Sequence, residues 1–250
     1  MTLLKTLIRT SWMLLLLLAS CSSGPRKTEK ADEAATASAH LHTIEGVVRL
    51  AGNEVQTPTR VENSTDPEVC GRIHTLENLV VSSENRGIQD VVVALTDVPP
   101  EKIPQFAPDH LVLDNNHCRF SPHVGVVTTG STIEATNSDA VLHTTHLYGA
   151  MEANIALPVK GQKVPKTVAT PGMIVVKCDV HGWMQAFIRV DTHPFHAVTG
   201  PTGSFRIPNV PNGTYVLETW HETLGQRRKT IQVTDGAAES VEIEYSVENH

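Results

Sequence analysis

Short runs in which apolar and polar residues alternate recur from Ile44 to Tyr245, and Val, Ile and Thr dominate them. This period of two is typical of strands that bury one face. Clusters of Gly, Pro and Asn separate the runs, and only TDPEVCGRIHTLENL offers a helical turn. The pattern therefore predicts an all-β protein, a sandwich or a barrel. The predicted strands read IEGVVRL, LVVSS, DVVVALTD, HVGVVTTG, STIEATN, MIVVKCD, AFIRVD, GSFRIP, GTYVLETW, RKTIQV and SVEIEY.

Residues 1–20 follow a different pattern, with Lys5 and Arg9 ahead of the apolar run WMLLLLLAS. That run is too short to span a bilayer and indicates an export signal peptide. The residues LASC, which end at Cys21, resemble the lipobox of bacterial lipoproteins. The resemblance implies cleavage before Cys21 and acylation of that residue. An ordinary signal peptide, cut at another site, is the alternative.

The residues that follow Cys21 bear on location. Ser22 resembles the default outer-membrane address of Gram-negative lipoproteins. Residues 21–43 are small, polar and charged, which predicts a flexible tether ahead of a folded body. We therefore expect a periplasmic protein that its lipid anchor tethers to the outer membrane.

Composition excludes several classes of function. The net charge is −7, and both signs are interspersed without a basic stripe, so nucleic acid is not an expected partner. Aromatic residues make up 4% of the chain, which provides no rich surface for stacking sugars or bases. We find no Ser-His-Asp order, glycine-rich phosphate loop or paired carboxylates, and so do not expect an enzyme.

The segment IVVKCDVHGWMQAFIRV joins two predicted strands and contains Cys178, His181 and Met184 in a C-x2-H-x2-M spacing. A thiolate, an imidazole and a thioether form a soft ligand set that favours copper. One more histidine would complete a trigonal site of two imidazoles and one thiolate with a weak axial Met. Zinc is the chemical competitor, although a Met has no place in its usual ligand set.

Upstream, FSPHVGVVTTGSTIEATNSDAVLHTTH ends a predicted strand with His143 and His146. Together with the C-x2-H-x2-M loop, this segment resembles the cupredoxins, with ligand spacing closest to amicyanin. The resemblance implies a Greek-key β-sandwich that holds one mononuclear copper ion. It assigns the ligands His143, Cys178, His181 and Met184, whereas His146 aligns with a non-ligand histidine.

The cupredoxin resemblance also bears on the surroundings of the ligands. Thr144 stands where the family commonly has an Asn that ties the two ligand loops together. The resemblance further suggests that His181 lies near the surface beside Gly182 and Trp183. An exposed Trp there would form an apolar patch for brief docking of a redox partner protein.

The chain has four cysteines, and an exported protein folds in an oxidising compartment. With Cys21 assigned to lipid and Cys178 to copper, Cys70 and Cys118 are left, and we expect them to form a disulfide. The alternative places Cys118 with His123 in a second metal site.

The C-terminal region resembles the latter half of carboxypeptidase regulatory-like (transthyretin-like) domains, another small β-sandwich. EGVVRLAG and IQDVVVALTD resemble the first half of such a domain. We therefore expect an N-terminal β segment at 44–98, a cupredoxin module at 99–193 inserted into a split sandwich, and the remaining sandwich at 194–250. Two or three sequential domains are the alternative. The residues that carry the C-terminal resemblance are Thr199, Gly203, Phe205, Pro211, Gly213 and Tyr215.

These features predict a lipid-anchored periplasmic blue (type 1) copper protein that exchanges single electrons with a redox partner protein. The rival is a non-redox β-sandwich with a degenerate metal loop, which binds copper without electron transfer or contacts carbohydrate or the cell envelope.

Overall fold

The computed structural model describes residues 41–52, 57–76, 78–235 and 239–246. The predicted signal peptide, Cys21 and most of the predicted tether lie outside these residues. The first strand begins at Leu41, three residues before the expected start of the body, because Leu41 and His42 pair with Pro211 and Val210. No helix in the described ranges is long and apolar enough to cross a membrane.

Strands dominate the described residues, which confirms the all-β prediction. The helical elements in these ranges are α1 (Pro67–Cys70) and a short 3-10 turn at Pro100–Lys102. The strands are β1 (Leu41–Leu50), β2 (Thr59–Glu62), β3 (Ile73–Leu76), β4 (Val92–Thr96), β5 (His110–Asn116), β6 (Arg119–Ser121), β7 (Val124–Thr128), β8 (Thr132–Asn137), β9 (His143–Gly149), β10 (Ala153–Leu157), β11 (Lys163–Thr167), β12 (Gly172–Lys177), β13 (Gln185–Asp191), β14 (His196–Val198), β15 (Ser204–Pro211), β16 (Gly213–His221), β17 (Gly225–Val233) and β18 (Glu239–Tyr245).

Strands β5–β13 form two sheets, which we call the insert sandwich. One sheet has the order β10-β9-β12-β13-β7 and the other has the order β11-β8-β5-β6. Aliphatic side chains such as Leu113, Ile133 and Ile174 form the core of this sandwich. Cys178 and Met184 belong to the same core. The loop between β12 and β13 is therefore packed onto one end of an apolar interior.

Strands from both sides of the insert form a second pair of sheets, which we call the split sandwich. Strand β4 pairs with β16, and β1 lies between β15 and β18. Residues such as Val93, Leu95, Leu217 and Ile207 form its buried core. Strands that flank the predicted insertion thus share a sheet, as the split hypothesis requires, while the domain boundaries stay a prediction.

The two sandwiches meet along β7, β13, β4 and β16. Phe187 packs edge-on against Trp220, with ring centroids 5.0 Å apart. Beside this contact, Arg189 donates to Glu218 at 2.9 Å and to Asp191 at 2.8 Å. The described part of residues 39–250 forms one compact unit.

Residues 59–76, which we call the cap, form a small hairpin of β2 and β3 with α1 between the two strands. The Asn63 side chain organises the connection, because its Nδ2 donates to the Gly71 carbonyl at 2.7 Å and its Oδ1 accepts from the Thr65 N–H at 2.7 Å. A disulfide joins Cys70 of the cap to Cys118 of the insert sandwich. The cap is therefore covalently fastened to the insert.

The strand predictions include one segment that is not a strand, and they omit several strands. Strands β2, β3, β5, β6, β10, β11 and β14 were not predicted. LVVSS is not a strand, because Val81 makes only an isolated bridge to Ile88 before a turn closed by Asn85. HTTHLYG, by contrast, was expected to be a strand end and loop but forms β9. Its inward positions include His143 and Thr145, so the buried face is polar and the usual alternation is hidden.

Candidate metal centre

Two segments that are distant in sequence bring three candidate ligands together. His143 is the first residue of β9, whereas Cys178 and His181 lie in the loop between β12 and β13. Sγ of Cys178 is 3.9 Å from Nδ1 of His143 and 3.8 Å from Nδ1 of His181. The two Nδ1 atoms are 3.1 Å apart. All three side chains are buried, so the cluster is shielded from water.

These distances fit a metal ion. An ion about 2.0 Å from each nitrogen and about 2.3 Å from the sulfur matches common metal–ligand bond lengths. A triangle with sides of 3.9, 3.8 and 3.1 Å accommodates such an ion close to its plane. The donor set of one thiolate and two imidazoles is one that suits copper. The residues present therefore fit the group that the sequence predicts.

The loop before β9 positions His143 through a carboxylate. Nε2 of His143 lies 3.0 Å from Oδ2 of Asp139. Because an ionised carboxylate only accepts hydrogen bonds, Nε2 donates, and Nδ1 is the ring nitrogen directed toward Cys178. Asn137 holds Asp139 in turn, because its Oδ1 accepts from the Asp139 N–H at 2.9 Å. The Asn-x-Asp turn thus fixes the orientation of the first imidazole.

Asp139 also holds the turn between β5 and β6. His117 and Cys118 both have a φ of 53° there, a left-handed conformation that non-glycine residues adopt at a cost of about 1–2 kcal/mol each. The Asp139 carboxylate accepts from both backbone N–H groups, at 2.9 and 2.8 Å. One side chain therefore supports both the metal centre and the turn that carries the disulfide.

The environment of Cys178 favours a thiolate. Burial raises the pKa of the thiol, but the contact with His143 and hydrogen bonds from nearby backbone N–H groups outweigh burial and lower the pKa to about 6. The Thr144 N–H, for example, lies 3.4 Å from Sγ. Burial lowers the pKa of His143, but Cys178 and Asp139 more than offset this and raise it. At neutral pH the thiol is thus largely in the form that binds metals.

Thr144 joins the two ligand segments. Its hydroxyl oxygen accepts from the Asp179 N–H at 2.7 Å, directly beside Cys178. Its own N–H and hydroxyl both point to the sulfur. The hydroxyl at residue 144 therefore connects the two loops, although this position commonly holds an Asn in the cupredoxins.

His181 was expected to lie near the surface, and this expectation is wrong. Its side chain is 0% exposed, because the cap covers it. Nε2 of His181 lies 3.2 Å from Oδ2 of Asp66 and 3.6 Å from Sγ of Cys70. The imidazole thus faces Cys178 with one nitrogen and the cap with the other.

Trp183 is half-buried rather than exposed, again because of the cap. Its ring stacks on His74 with centroids 4.0 Å apart, and its Nε1 donates to the Cys118 carbonyl at 3.0 Å. Gly182 is exposed. A docking role for Gly182 and Trp183 stays a prediction, and the Trp183 side chain is only partly exposed.

Met184 is 2% exposed and packs in the same core as Cys178. Its backbone closes the loop, since the Met184 N–H donates to the His181 carbonyl at 2.9 Å and the Met184 carbonyl accepts from the Cys178 N–H at 3.4 Å. The residue is therefore close to the cluster, and its role as an axial ligand stays a prediction.

The disulfide between Cys70 and Cys118 removes both thiols from metal chemistry. Cys118 lies near Asp139 and His143, but its sulfur cannot act as a thiolate ligand there. His123 is elsewhere, with Nδ1 3.0 Å from the Gln185 carbonyl and Nε2 bonded to Glu222. The alternative of a second site built from Cys118 and His123 is thus wrong.

His146 points away from the cluster. It lies three residues after His143 on β9, so it faces the opposite side of the sheet. Its Nδ1 is 2.9 Å from Oδ1 of Asp179, and its ring stacks on Tyr148. The structure therefore separates His146 from the candidate ligands.

Comparisons with known proteins found similarity to one protein-family model and to a set of solved structures. The family described as polysaccharide lyase family 4, domain II, matches residues 160–241, which is less than half of the chain. A search of curated proteins found no match. The matched segment includes both the loop that carries Cys178 and most of the C-terminal strands.

Among solved structures, a copper-containing nitrite reductase (NirK) from Thermus scotoductus SA-01 is similar over 37% of this chain and 27% of its own, at 22% identity and a TM-score of 0.30. A purple cupredoxin from Nitrosopumilus maritimus is similar over 33% of this chain and 99% of its own, at 19% identity and a TM-score of 0.30. A reduced amicyanin variant is similar over 36% of this chain and 96% of its own, at 22% identity and a TM-score of 0.29.

The sequence did not identify Asp66 as part of this site. Asp139 carried a partial signal, because its Asn-x-Asp turn precedes His143 by four residues. Asp66 carried none, since 115 residues separate it from His181. The lipoprotein lipobox and the regulatory-like resemblance stay predictions.

Proposed function

We propose that this protein binds one copper ion through His143, Cys178 and His181, with Met184 as a weak fourth ligand, and carries single electrons. The observation that supports it is the buried triangle of one sulfur and two Nδ1 atoms, with sides of 3.1 to 3.9 Å. Each of these atoms offers a lone pair, and both Nε2 atoms face carboxylates. A cation satisfies this convergence of lone pairs.

A bound copper ion would supply a one-electron couple. The residues of the chain hold the ligands in place, because Asp139 and Asp66 orient the imidazoles and Thr144 joins the two loops. Burial of all three ligands excludes water. A rigid, dry site of this kind suits electron transfer because little around it has to rearrange. No substrate-converting chemistry is needed, so we propose a carrier rather than an enzyme.

The proposal includes location and partner. The export signal and the lipobox-like LASC support a lipid-anchored protein of the Gram-negative periplasm, tethered to the outer membrane. A redox partner protein would then be found in the same compartment.

The test is the visible spectrum of the protein loaded with copper. We expect an intense blue or purple absorption from the thiolate that bleaches reversibly on reduction and is lost in Cys178→Ser. His143→Gln and His146→Gln form a matched pair three residues apart on β9. His143→Gln should abolish the band, whereas His146→Gln should retain it. Zinc binding without a visible band would contradict the electron-carrier proposal.

The rival function is a non-redox module. The family match to polysaccharide lyase family 4, domain II, favours testing carbohydrate binding by this chain. Colourless copper binding that does not depend on Cys178, together with binding to a defined glycan, would favour this rival.

A further inference from the structure

The cap brings one carboxylate to the metal centre from outside the insert sandwich. We propose that Asp66 is a positioning residue of this centre, which holds His181 with Nδ1 toward Cys178. This inference rests on the proposed function, since the orientation of His181 matters most if His181 binds a metal.

The contacts of His181 show which ring nitrogen donates a hydrogen bond and which has a free lone pair. Nε2 lies 3.2 Å from the Asp66 carboxylate, so it carries the hydrogen and donates. Nδ1 is thereby left with a free lone pair, and it lies 3.8 Å from Sγ of Cys178 and 3.1 Å from Nδ1 of His143. Asp139 makes the equivalent contact with His143 at 3.0 Å. The centre thus has a carboxylate behind each imidazole, an arrangement that orients metal ligands.

The local backbone holds Asp66 in place. Asp66 has φ 50° and ψ 44°, and its carbonyl accepts from the N–H groups of Val69 and Cys70 at 3.0 and 2.9 Å. Cys70, which lies four residues after Asp66, forms the disulfide with Cys118. The carboxylate is therefore delivered by a fastened segment rather than by a freely moving surface side chain.

This arrangement has two consequences for a bound metal. A negative charge behind His181 stabilises the more highly charged oxidation state, so Asp66 should lower the reduction potential. The cap also closes the His181 side of the centre, which should slow the release of the metal. Neither consequence requires Asp66 to bind the metal itself.

The experiment compares Asp66→Ala, Asp66→Asn and Glu68→Ala in the full chain loaded with copper. Glu68 is the matched control, because it lies two residues after Asp66, on the short helix that Asp66 precedes, and its exposed side chain pairs with Arg72 at 3.6 Å. We expect Asp66→Ala to weaken copper affinity about 10- to 100-fold, as removal of such partners commonly does. The reduction potential should rise, and a chelator should remove the copper faster. Asp66→Asn keeps an acceptor without the charge and should fall between Asp66→Ala and the wild type, and Glu68→Ala should match the wild type.

A readout without metal separates this inference from the proposed function. Nitrogen NMR of the metal-free wild type should show the His181 proton on Nε2, and Asp66→Ala should change that signal while Glu68→Ala does not. Asp66-dependent NMR signals in a protein that fails to form the copper band would support the positioning role and reject the carrier function. An Asp66→Ala variant with wild-type affinity, potential and NMR signals would overturn the positioning role and leave the carrier function standing.

Discussion

The two imidazoles of the candidate metal centre have similar contacts, but the residues that make those contacts lie at different distances along the sequence. Each directs Nδ1 toward Cys178 and places Nε2 beside a carboxylate, at 3.0 Å for His143 and 3.2 Å for His181. For His143 the carboxylate is Asp139, which lies four residues earlier, in the loop before β9. For His181 it is Asp66, which lies in the cap and is 115 residues away.

The two carboxylates also differ in burial. The Asp139 side chain is 10% exposed and accepts three hydrogen bonds, whereas that of Asp66 is 39% exposed and contacts His181 at the rim. A hydrogen bond to a charge is stronger where water is excluded. The two carboxylate–imidazole contacts therefore have similar distances but should contribute different free energies. The His143 side should contribute to folding, while the Asp66 contact should act mainly on the metal.

Removal of the disulfide should have the largest effect on the free energy of unfolding. It releases the cap, which lies on the His181 side of the centre. The bond closes a sequence separation of 48 residues, and its loss should lower the free energy of unfolding by about 4 kcal/mol. The variant combines Cys70→Ala with Cys118→Ala, and urea unfolding of the metal-free chain measures the change. Reductant should destabilise the wild type and leave the variant unchanged. A variant as stable as the oxidised wild type would show that the cap contributes little.

Asp139→Asn should have the next largest effect, since it disturbs the His143 side and the β5–β6 turn together. We expect a loss of about 2–3 kcal/mol in the free energy of unfolding, because the carboxylate accepts two backbone N–H groups besides Nε2 of His143. Thermal and urea unfolding measure it. The control is Asp66→Asn, for which a rim contact predicts a loss of less than about 1 kcal/mol. Equal losses in the two variants would mean that the two sides contribute alike to folding.

Thr144→Val should have the smallest effect, because it removes a single tie between the two ligand loops. The Asp179 N–H then loses its acceptor at 2.7 Å, which should lower the free energy of unfolding by about 1 kcal/mol. Thr144→Ser keeps the hydroxyl and is the control, which should stay near the wild type in both stability and copper spectrum. If Thr144→Ser loses as much as Thr144→Val, packing of the methyl group matters more than the hydrogen bond.

Much of the strand pattern was predictable, because a sheet with one buried face leaves an alternating pattern. LVVSS is not the expected strand, and eight strands were not predicted: β2, β3, β5, β6, β9, β10, β11 and β14. In β9, His143 and Thr145 occupy inward positions. At β9 the need for polar groups at the candidate site overrides the alternation. A sequence pattern is thus least informative where the buried side chains have a chemical task.

The candidate ligands were predictable because three of them lie in one short loop and the fourth follows a recognisable turn. The surroundings of these residues were less predictable from the sequence. The exposure expected of His181 and Trp183 was wrong, because the cap lies over them. Nothing in the residues near His181 indicates that a segment more than a hundred residues earlier covers it.

The amino-acid sequence by itself determined the all-β class and which soft side chains were available for a metal, because periodicity and ligand type are local properties. Only the tertiary structure decided that the Nδ1 atoms of His143 and His181 face one sulfur and that Asp66 stands behind the second imidazole. The physical reason is that hydrogen-bond geometry and burial depend on contacts between distant segments. Here those contacts follow from the packing of the two sheets of the insert sandwich and from the disulfide that fastens the cap.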